Sequence, residues 1–168
     1  MRDRLEQEFP AESFRFYSED LWHLTLLFLG DQDEEDLASI VSAMEEFGKM
    51  QPAFGGKLSR IDYGPDAKEK KMIWLFGGDD LAKKGEVARD NLQDLLIERG
   101  VRFNPENKRF IPHMSLARRS KFFTDNKKLP EINETIEEEL SVDKIELISS
   151  VLTKDGPEYE VLGSVDLS

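Results

Sequence analysis

The chain has 168 residues and a mass of 19.3 kDa, a length that suits one compact domain or one domain built from two small lobes. Its net charge of −12 argues against sequence-independent binding along a nucleic acid backbone, because such binding needs a basic surface. The absence of cysteine excludes disulfides and thiolate metal sites, and no apolar run is long enough to span a membrane. We therefore expect a cytoplasmic protein.

The first half of the sequence predicts two helices and two strands. We expect a helix over residues 2–9, a short strand over 14–17 and a strongly apolar strand over 21–29. A longer helix follows, since apolar residues recur at helical spacing: Leu37, Ile40, Val41, Met44 and Phe47. Gly48 is expected to end that helix.

The second half predicts further strands, one long helix and a closing hairpin. The helix over 81–99 is expected to bury one face: Val87, Ala88, Leu92, Leu95 and Leu96. Strands are expected over 58–63, 72–76, 110–117, 144–153 and 158–165, with a loop and a weak helix over 122–140 and a tight turn at 154–157. Interspersed helices and strands with an antiparallel hairpin indicate the α+β class.

The chain holds two histidines, and both occur in the same local pattern. The first lies in His23-Leu24-Thr25-Leu26 and the second in His113-Met114-Ser115-Leu116. In a strand, residues i and i+2 share one face, so each imidazole is expected to lie beside a hydroxyl while the apolar neighbours point into the core. A single histidine in an apolar strand is usually structural, but two copies with the same partner favour a functional pair.

This pattern suits the hydrolysis of a phosphodiester without a metal ion. That reaction needs a base to activate water and an acid to protonate the departing oxygen, and histidine exchanges protons near neutral pH. The hydroxyls of Thr25 and Ser115 could donate hydrogen bonds to the phosphate oxygens. A catalytic metal is the competing possibility, but neither histidine has a helical i, i+4 partner and thiolate ligands are absent.

A locally basic stretch surrounds the second histidine. Residues 107–124 contain no Asp or Glu and five basic residues: Lys108, Arg109, Arg118, Arg119 and Lys121. Arg109 precedes His113 by an even offset, so an extended chain would put Arg109 on the same face as a phosphate clamp. Arg118 is at an odd offset and should face away unless a β-bulge intervenes.

The two motifs and their flanks resemble the 2H phosphoesterase superfamily, and specifically its 2′-5′ RNA ligase or RNA 2′,3′-cyclic phosphodiesterase family. The similarity includes residues 21–30, residues 109–118 and the closing stretch at 149–162. The resemblance implies a bilobal α+β fold over residues 1–168, in which two antiparallel sheets flank a central cleft with helices outside. It also implies two pseudo-symmetric lobes and no cofactor.

The implied reaction opens RNA 2′,3′-cyclic phosphates to 2′-phosphates, and some members of the family also join RNA ends through a 2′-5′ linkage. By the resemblance, His23 is the acid toward the 3′ oxygen and His113 the base toward water, although the residues alone leave this division open. The implied ligands are RNA ends or nucleotide 2′,3′-cyclic phosphates.

Three points stay open at this stage. The family usually begins with a short apolar strand that this sequence lacks, so we expect one sheet to be a strand short. The alternative function is a module that binds phosphorylated RNA ends or nucleotides without turnover. The simplest alternative is a domain in which both histidines are structural. The oligomeric state is not fixed by the sequence.

Overall fold

In the computed structural model, residues 1–132, 134–153 and 156–168 are described. Three α-helices are formed there: α1 (Arg2–Glu8), α2 (Leu37–Met50) and α3 (Asp79–Glu98). The strands are β1 (Phe14–Phe16), β2 (Phe54–Gly64), β3 (Met72–Gly77), β4 (His113–Arg119), β5 (Glu134–Val142), β6 (Lys144–Thr153) and β7 (Gly156–Asp166). Five strands form one sheet in the order β1-β4-β3-β2-β5, and β6 pairs with β7 in a second sheet.

The chain divides into two compact units. The first comprises residues 1–25, 56–82 and 111–140, and the second comprises 26–55, 83–110 and 141–168. The α+β class with antiparallel sheets is confirmed, since the strand pairs with a described register are antiparallel. The pseudo-symmetry of the two lobes stays a prediction.

The first unit has its core on one face of the five-stranded sheet. Alternation along β1 buries Phe14 and Phe16 and exposes Arg15 between them. The same core contains Leu5 of α1 together with Ile73 and Leu75 of β3. The opposite face of this sheet therefore carries the other half of each strand's side chains, including those of the histidine motif in β4.

The second unit is built from helices packed with the β6–β7 hairpin. Its core residues come largely from α2 and α3: Ile40, Ala43, Met44, Phe47, Ala88, Leu92, Leu95 and Leu96. The predicted helices are thus confirmed, except that α2 continues past Gly48 to Met50 and that Val87 is 59% exposed rather than buried. Val87 precedes Ala88 by one helical step of about 100°, which turns it away from the buried face.

The predicted strand over 21–29 is wrong. Glu19–Leu21 is a turn of 3₁₀ helix, and within the following segment only Leu24 forms a β-bridge, to Met114. The apolar character of this segment reflects partial side-chain burial instead, since Leu26, Leu27 and Leu29 pack against the core of the second unit. Apolar composition reports burial and does not require a hydrogen-bonded ladder.

The weak helix predicted within 122–140 is also wrong, because that region contains the edge strand β5. Ile132, Ile136 and Leu140 pack against the core of the first unit. Their spacing of four residues suits one face of a helix, but it is an even number and suits one face of a strand equally well. The closing hairpin is confirmed, although Lys154 and Asp155 of its predicted turn lie outside the described residues.

Candidate active site

The two histidine motifs meet at their central residues. Leu24 and Met114 form an antiparallel bridge, and four polar side chains flank it: His23, Thr25, His113 and Ser115. In an antiparallel pair, neighbours of a bridged pair also lie opposite each other, so each imidazole faces the hydroxyl of the other motif. Met114 packs against the core of the first unit, which directs the four polar groups to the other face of the sheet.

Each imidazole is oriented by its own backbone in the same way. Nδ1 of His23 lies 2.9 Å from the carbonyl oxygen of Leu21, and Nδ1 of His113 lies 2.8 Å from that of Ile111. A carbonyl oxygen only accepts, so Nδ1 carries the hydrogen in both rings. This fixes the tautomer in which Nε2 of a neutral ring holds the lone pair, and Nε2 is thereby the atom suited to take or give a proton.

The surroundings of His113 favour its neutral form. Burial lowers the pKa of His113 below that of a free imidazole, and the positive charge of His23 lowers this pKa further. The hydrogen bond to the Ile111 carbonyl acts in the opposite direction and raises the pKa. A neutral imidazole is the form that can accept a proton from water.

An aromatic side chain supports the His113 ring. The rings of Trp74 and His113 are stacked, with centroids 3.7 Å apart and planes inclined by 22°. The indole lies against Gly64, where a Cβ would overlap its ring atoms, so the small residue makes room for it. Phe76 packs edge-on against Trp74 at 5.6 Å, and the guanidinium of Arg60 lies 4.2 Å from the Phe76 ring centroid.

Trp74 was not among the predicted site residues. The strand over 72–76 was predicted from its apolar composition, which does not distinguish core residues from those on the opposite face. The register places Trp74 opposite Ser115 and Phe76 opposite His113. Strand alternation within β3 could have placed Trp74 and Phe76 on one face and Ile73 and Leu75 on the other. Only the pairing with β4 shows which of these two faces also carries His113.

Arg118 lies on the histidine face, because the β-bulge that the prediction named as its exception is present. Between Ser115 and Arg118, the ladder between β4 and β3 contains one extra residue, Leu116. Such a bulge shifts the alternation of side chains by one. Arg118 is therefore opposite Met72, which shares its face with Trp74, and the Arg118 side chain is exposed.

The even-offset argument for Arg109 loses its basis in the structure. The strand predicted over 110–117 begins only at His113, so the residues from 109 to 112 do not alternate as a strand does. Arg109 is exposed and belongs to the second unit. Its role as a phosphate clamp stays a prediction.

Two further properties of the described residues bear on function. Across residues 1–132, 134–153 and 156–168, no group of three or more His, Asp or Glu side chains is placed to hold a metal ion. In the same ranges, none of the helices has the length and apolar character needed to cross a lipid bilayer.

The sequence is similar to a known family and to named relatives. Residues 1–74 match the model of the family described as LigT like Phosphoesterase. An RNA 2′,3′-cyclic phosphodiesterase of Aquifex aeolicus is 32% identical over 145 residues, which cover 83% of this chain and 74% of that protein. A protein of the same name from Thermotoga maritima is 31% identical over 148 residues, covering 86% and 75%.

The fold is similar to solved structures over nearly the whole chain. A crystal structure of a Thermus thermophilus protein matches with a TM-score of 0.76 and 26% identity, over 98% of this chain and 88% of that one. The structure of Escherichia coli LigT complexed with 3′-AMP matches with a TM-score of 0.72 and 22% identity, over 99% and 89%. At that identity the second similarity supports the fold alone.

Proposed function

The chain belongs to the LigT-like phosphoesterase family of the 2H superfamily, and on this premise we propose that it is an RNA 2′,3′-cyclic phosphodiesterase with His23 and His113 as its acid and base. The observation that carries the proposal is the Leu24–Met114 bridge, since it brings both histidine motifs to one face of one sheet. The names of the relatives support the substrate class, and the matched orientation of the imidazoles supports acid–base chemistry.

The proposed reaction opens the five-membered cyclic phosphate. Nε2 of neutral His113 takes a proton from water as the water oxygen bonds to phosphorus, and the bond between phosphorus and the 3′ oxygen breaks. Nε2 of protonated His23 gives its proton to that oxygen, so the products are a 2′-phosphate and a 3′-hydroxyl. The low pKa of His113 supports its assignment as the base.

Two hydroxyls are proposed to stabilise the phosphate as its charge rearranges. Thr25 and Ser115 each lie two residues beyond a histidine, on the same face of the sheet. Their O–H groups would donate to the non-bridging oxygens, which gain negative charge in the transition state. We also propose that the exposed Arg109 contributes to phosphate binding, on the basis of its charge and its place before the second motif.

The same groups could perform 2′-5′ ligation if the nucleophile changes. When a 5′-hydroxyl of RNA replaces water, His113 takes the proton of that hydroxyl and His23 again protonates the 3′ oxygen. The product is then a 2′-5′ phosphodiester, and no additional energy source is needed because the ring bond is exchanged for another phosphoester bond. We propose this as a side reaction that grows with the concentration of 5′-hydroxyl ends.

Product analysis on RNA with a 2′,3′-cyclic phosphate end, in excess chelator, tests the proposal. We expect a 2′-phosphate as the product, and a fall in kcat of about 10²- to 10⁴-fold for His23→Ala and for His113→Ala. Thermal unfolding of both variants checks that the fold is intact. Full activity in either variant would contradict the two-histidine assignment. Binding of the RNA without any product would favour the alternative, a binding module for phosphorylated RNA ends or nucleotides.

A further inference from the structure

Arg60 lies in the same row of the sheet as the proposed base. On β2 it is the register partner of Phe76 of β3, and Phe76 is in turn the partner of His113 on β4. Directly opposed residues of antiparallel strands share one face, so these three side chains project from the histidine face. Two strand spacings of about 4.8 Å separate the Cα atoms of Arg60 and His113, which are therefore about 10 Å apart. Arg60 thus borders the site without belonging to either histidine motif.

The guanidinium of Arg60 is a planar group that is covered on one side and open on the other. Its Cζ lies over the Phe76 ring, 4.2 Å from the ring centroid. The Arg60 side chain is nevertheless 55% exposed, and within the described part of the chain it makes no hydrogen bond. Phe76 is buried and packs against Trp74, so the support beneath the guanidinium is fixed. A planar cation held in this way is a surface on which a flat ring can stack.

The charges around Arg60 favour a neutral ligand over a phosphate. The carboxylate of Asp62 lies 3.9 Å from Nε of Arg60, so the two side chains together carry no net charge. The next strand of the sheet beyond β2 is β5, which adds three exposed glutamates: Glu137, Glu138 and Glu139. These carboxylates repel a phosphate but not an uncharged nucleobase. The local charge therefore favours a nucleobase as the ring that stacks on the guanidinium.

We propose that Arg60, supported by Phe76, is a stacking platform for the base of the terminal nucleotide, and that this platform makes the site prefer purines over pyrimidines. The inference rests on the proposed function, in which the cyclic phosphate of that nucleotide is bound at His113. Only one ribose separates this phosphate from its base, and only one strand, β3, separates Arg60 from His113. Stacking accepts every base because each has a π-face, and a purine offers the larger ring.

The test compares substrates with and without a base. KM and kcat are measured for the 2′,3′-cyclic phosphates of adenosine, cytidine and a methyl riboside, which has no base. We expect Arg60→Ala to raise KM for the adenosine substrate about 10-fold, to raise it less for cytidine and to leave it unchanged for the methyl riboside, with kcat nearly constant throughout. Arg60→Lys keeps the charge but loses the planar group, so it should resemble Arg60→Ala. The control Lys68→Ala removes an exposed charge from the turn before β3 and should change no KM.

Binding measurements separate this inference from the proposed function. Affinities for adenosine 2′-phosphate and methyl riboside 2′-phosphate, measured by calorimetry, need no turnover, and thermal unfolding checks that the variants keep the native fold. If the native chain hydrolyses none of the substrates but Arg60→Ala weakens binding of adenosine 2′-phosphate alone, the enzyme is overturned and the platform is retained. Equal losses for both ligands, or full activity in Arg60→Lys, would assign Arg60 to the phosphate and overturn the platform. An unchanged KM for the adenosine substrate in Arg60→Ala would overturn the platform as well.

Discussion

Each imidazole is held by a carbonyl oxygen only two residues before it in the chain. His23 uses Leu21 and His113 uses Ile111 in the same arrangement. A carboxylate in that position would stabilise the protonated ring, whereas a neutral carbonyl fixes the tautomer with a smaller effect on charge. The protonation state of His113 is therefore set mainly by burial, which favours the neutral form that a base needs.

The stacked indole should control the proton affinity of His113. In Trp74→Leu, water regains access to one ring face, so the pKa of His113 rises toward its ordinary value and the acid-side limb of kcat/KM moves to higher pH. Trp74→Phe keeps an aromatic face and should shift the limb less. Histidine NMR titration and the pH–rate profile provide the measurements, and a limb that moves to lower pH in Trp74→Leu would contradict the argument.

The same depressed pKa has a consequence for folding. An unfolded chain binds a proton at His113 more readily than the folded chain does, so protonation favours unfolding. Above the ordinary pKa of histidine, His113 therefore makes its full contribution to the free energy of unfolding. This contribution is lost as the pH falls from the ordinary pKa to below the lower pKa of the folded state.

Removing either hydroxyl should affect turnover more than substrate affinity. Thr25→Val and Ser115→Ala each delete a proposed donor to the phosphate oxygens, and we expect kcat to fall about 10²-fold with a smaller change in KM. The matched controls Thr25→Ser and Ser115→Thr retain the hydroxyl and should retain most of the activity. A hydroxyl-free variant with native kcat would remove that residue from the mechanism.

At the level of elements, periodicity predicted some features and could not predict others. The helices α2 and α3 were predictable because helical spacing of apolar residues persists over several turns. The common face of His113 and Ser115 followed from strand alternation in β4, whereas the same face for His23 and Thr25 stays a prediction, because their segment forms only the bridge at Leu24. The bulge at Leu116 was not predictable, since one extra residue in a ladder leaves no mark in composition, and it reversed the orientation expected for Arg118.

Helix α3 offers a test of packing against helix propensity. Gly85 is buried in this helix, and a Cβ at this position would overlap the ring of Phe110. Glycine to alanine in a helix usually stabilises by about 1 kcal/mol, but overpacking costs about 1–3 kcal/mol. We expect Gly85→Ala to lower the free energy of unfolding in denaturant titrations.

A second substitution gives this prediction its control. Phe110→Leu shortens the ring that meets the new methyl, so Gly85→Ala should be tolerated better in the Phe110→Leu background than in the native one. Equal effects in both backgrounds would show that the ring is not the cause.

At the level of the whole molecule, a net charge of −12 coexists with the five basic residues of the stretch over 107–124. The overall charge repels RNA over long distances, while these basic residues attract it only at close range. The Debye length shortens from about 30 Å at about 0.01 M salt to about 3 Å at about 1 M, so added salt screens the long-range repulsion first. We therefore expect kcat/KM for oligonucleotides to rise from the lowest salt concentration and then to fall toward the highest.

The measurement is a series of initial rates over this salt range, with the nucleoside cyclic phosphate as the reference. The nucleoside carries little charge, so its profile should be flatter. A steady fall from the lowest salt, as basic nucleic-acid-binding surfaces give, would contradict the prediction.

Within the described residues, a lone β-bridge couples the segment of His23 to β4, where a longer ladder holds His113 against β3. Backbone pairing that depends on so few hydrogen bonds can open locally at a free energy well below that of global unfolding. Breaking the Leu24–Met114 bridge would move the proposed acid, His23, away from the proposed base, His113, while the sheet stays intact. The amide protons around Leu24 should accordingly exchange with solvent deuterium faster than those of β4, and this local opening offers a way for the product to leave.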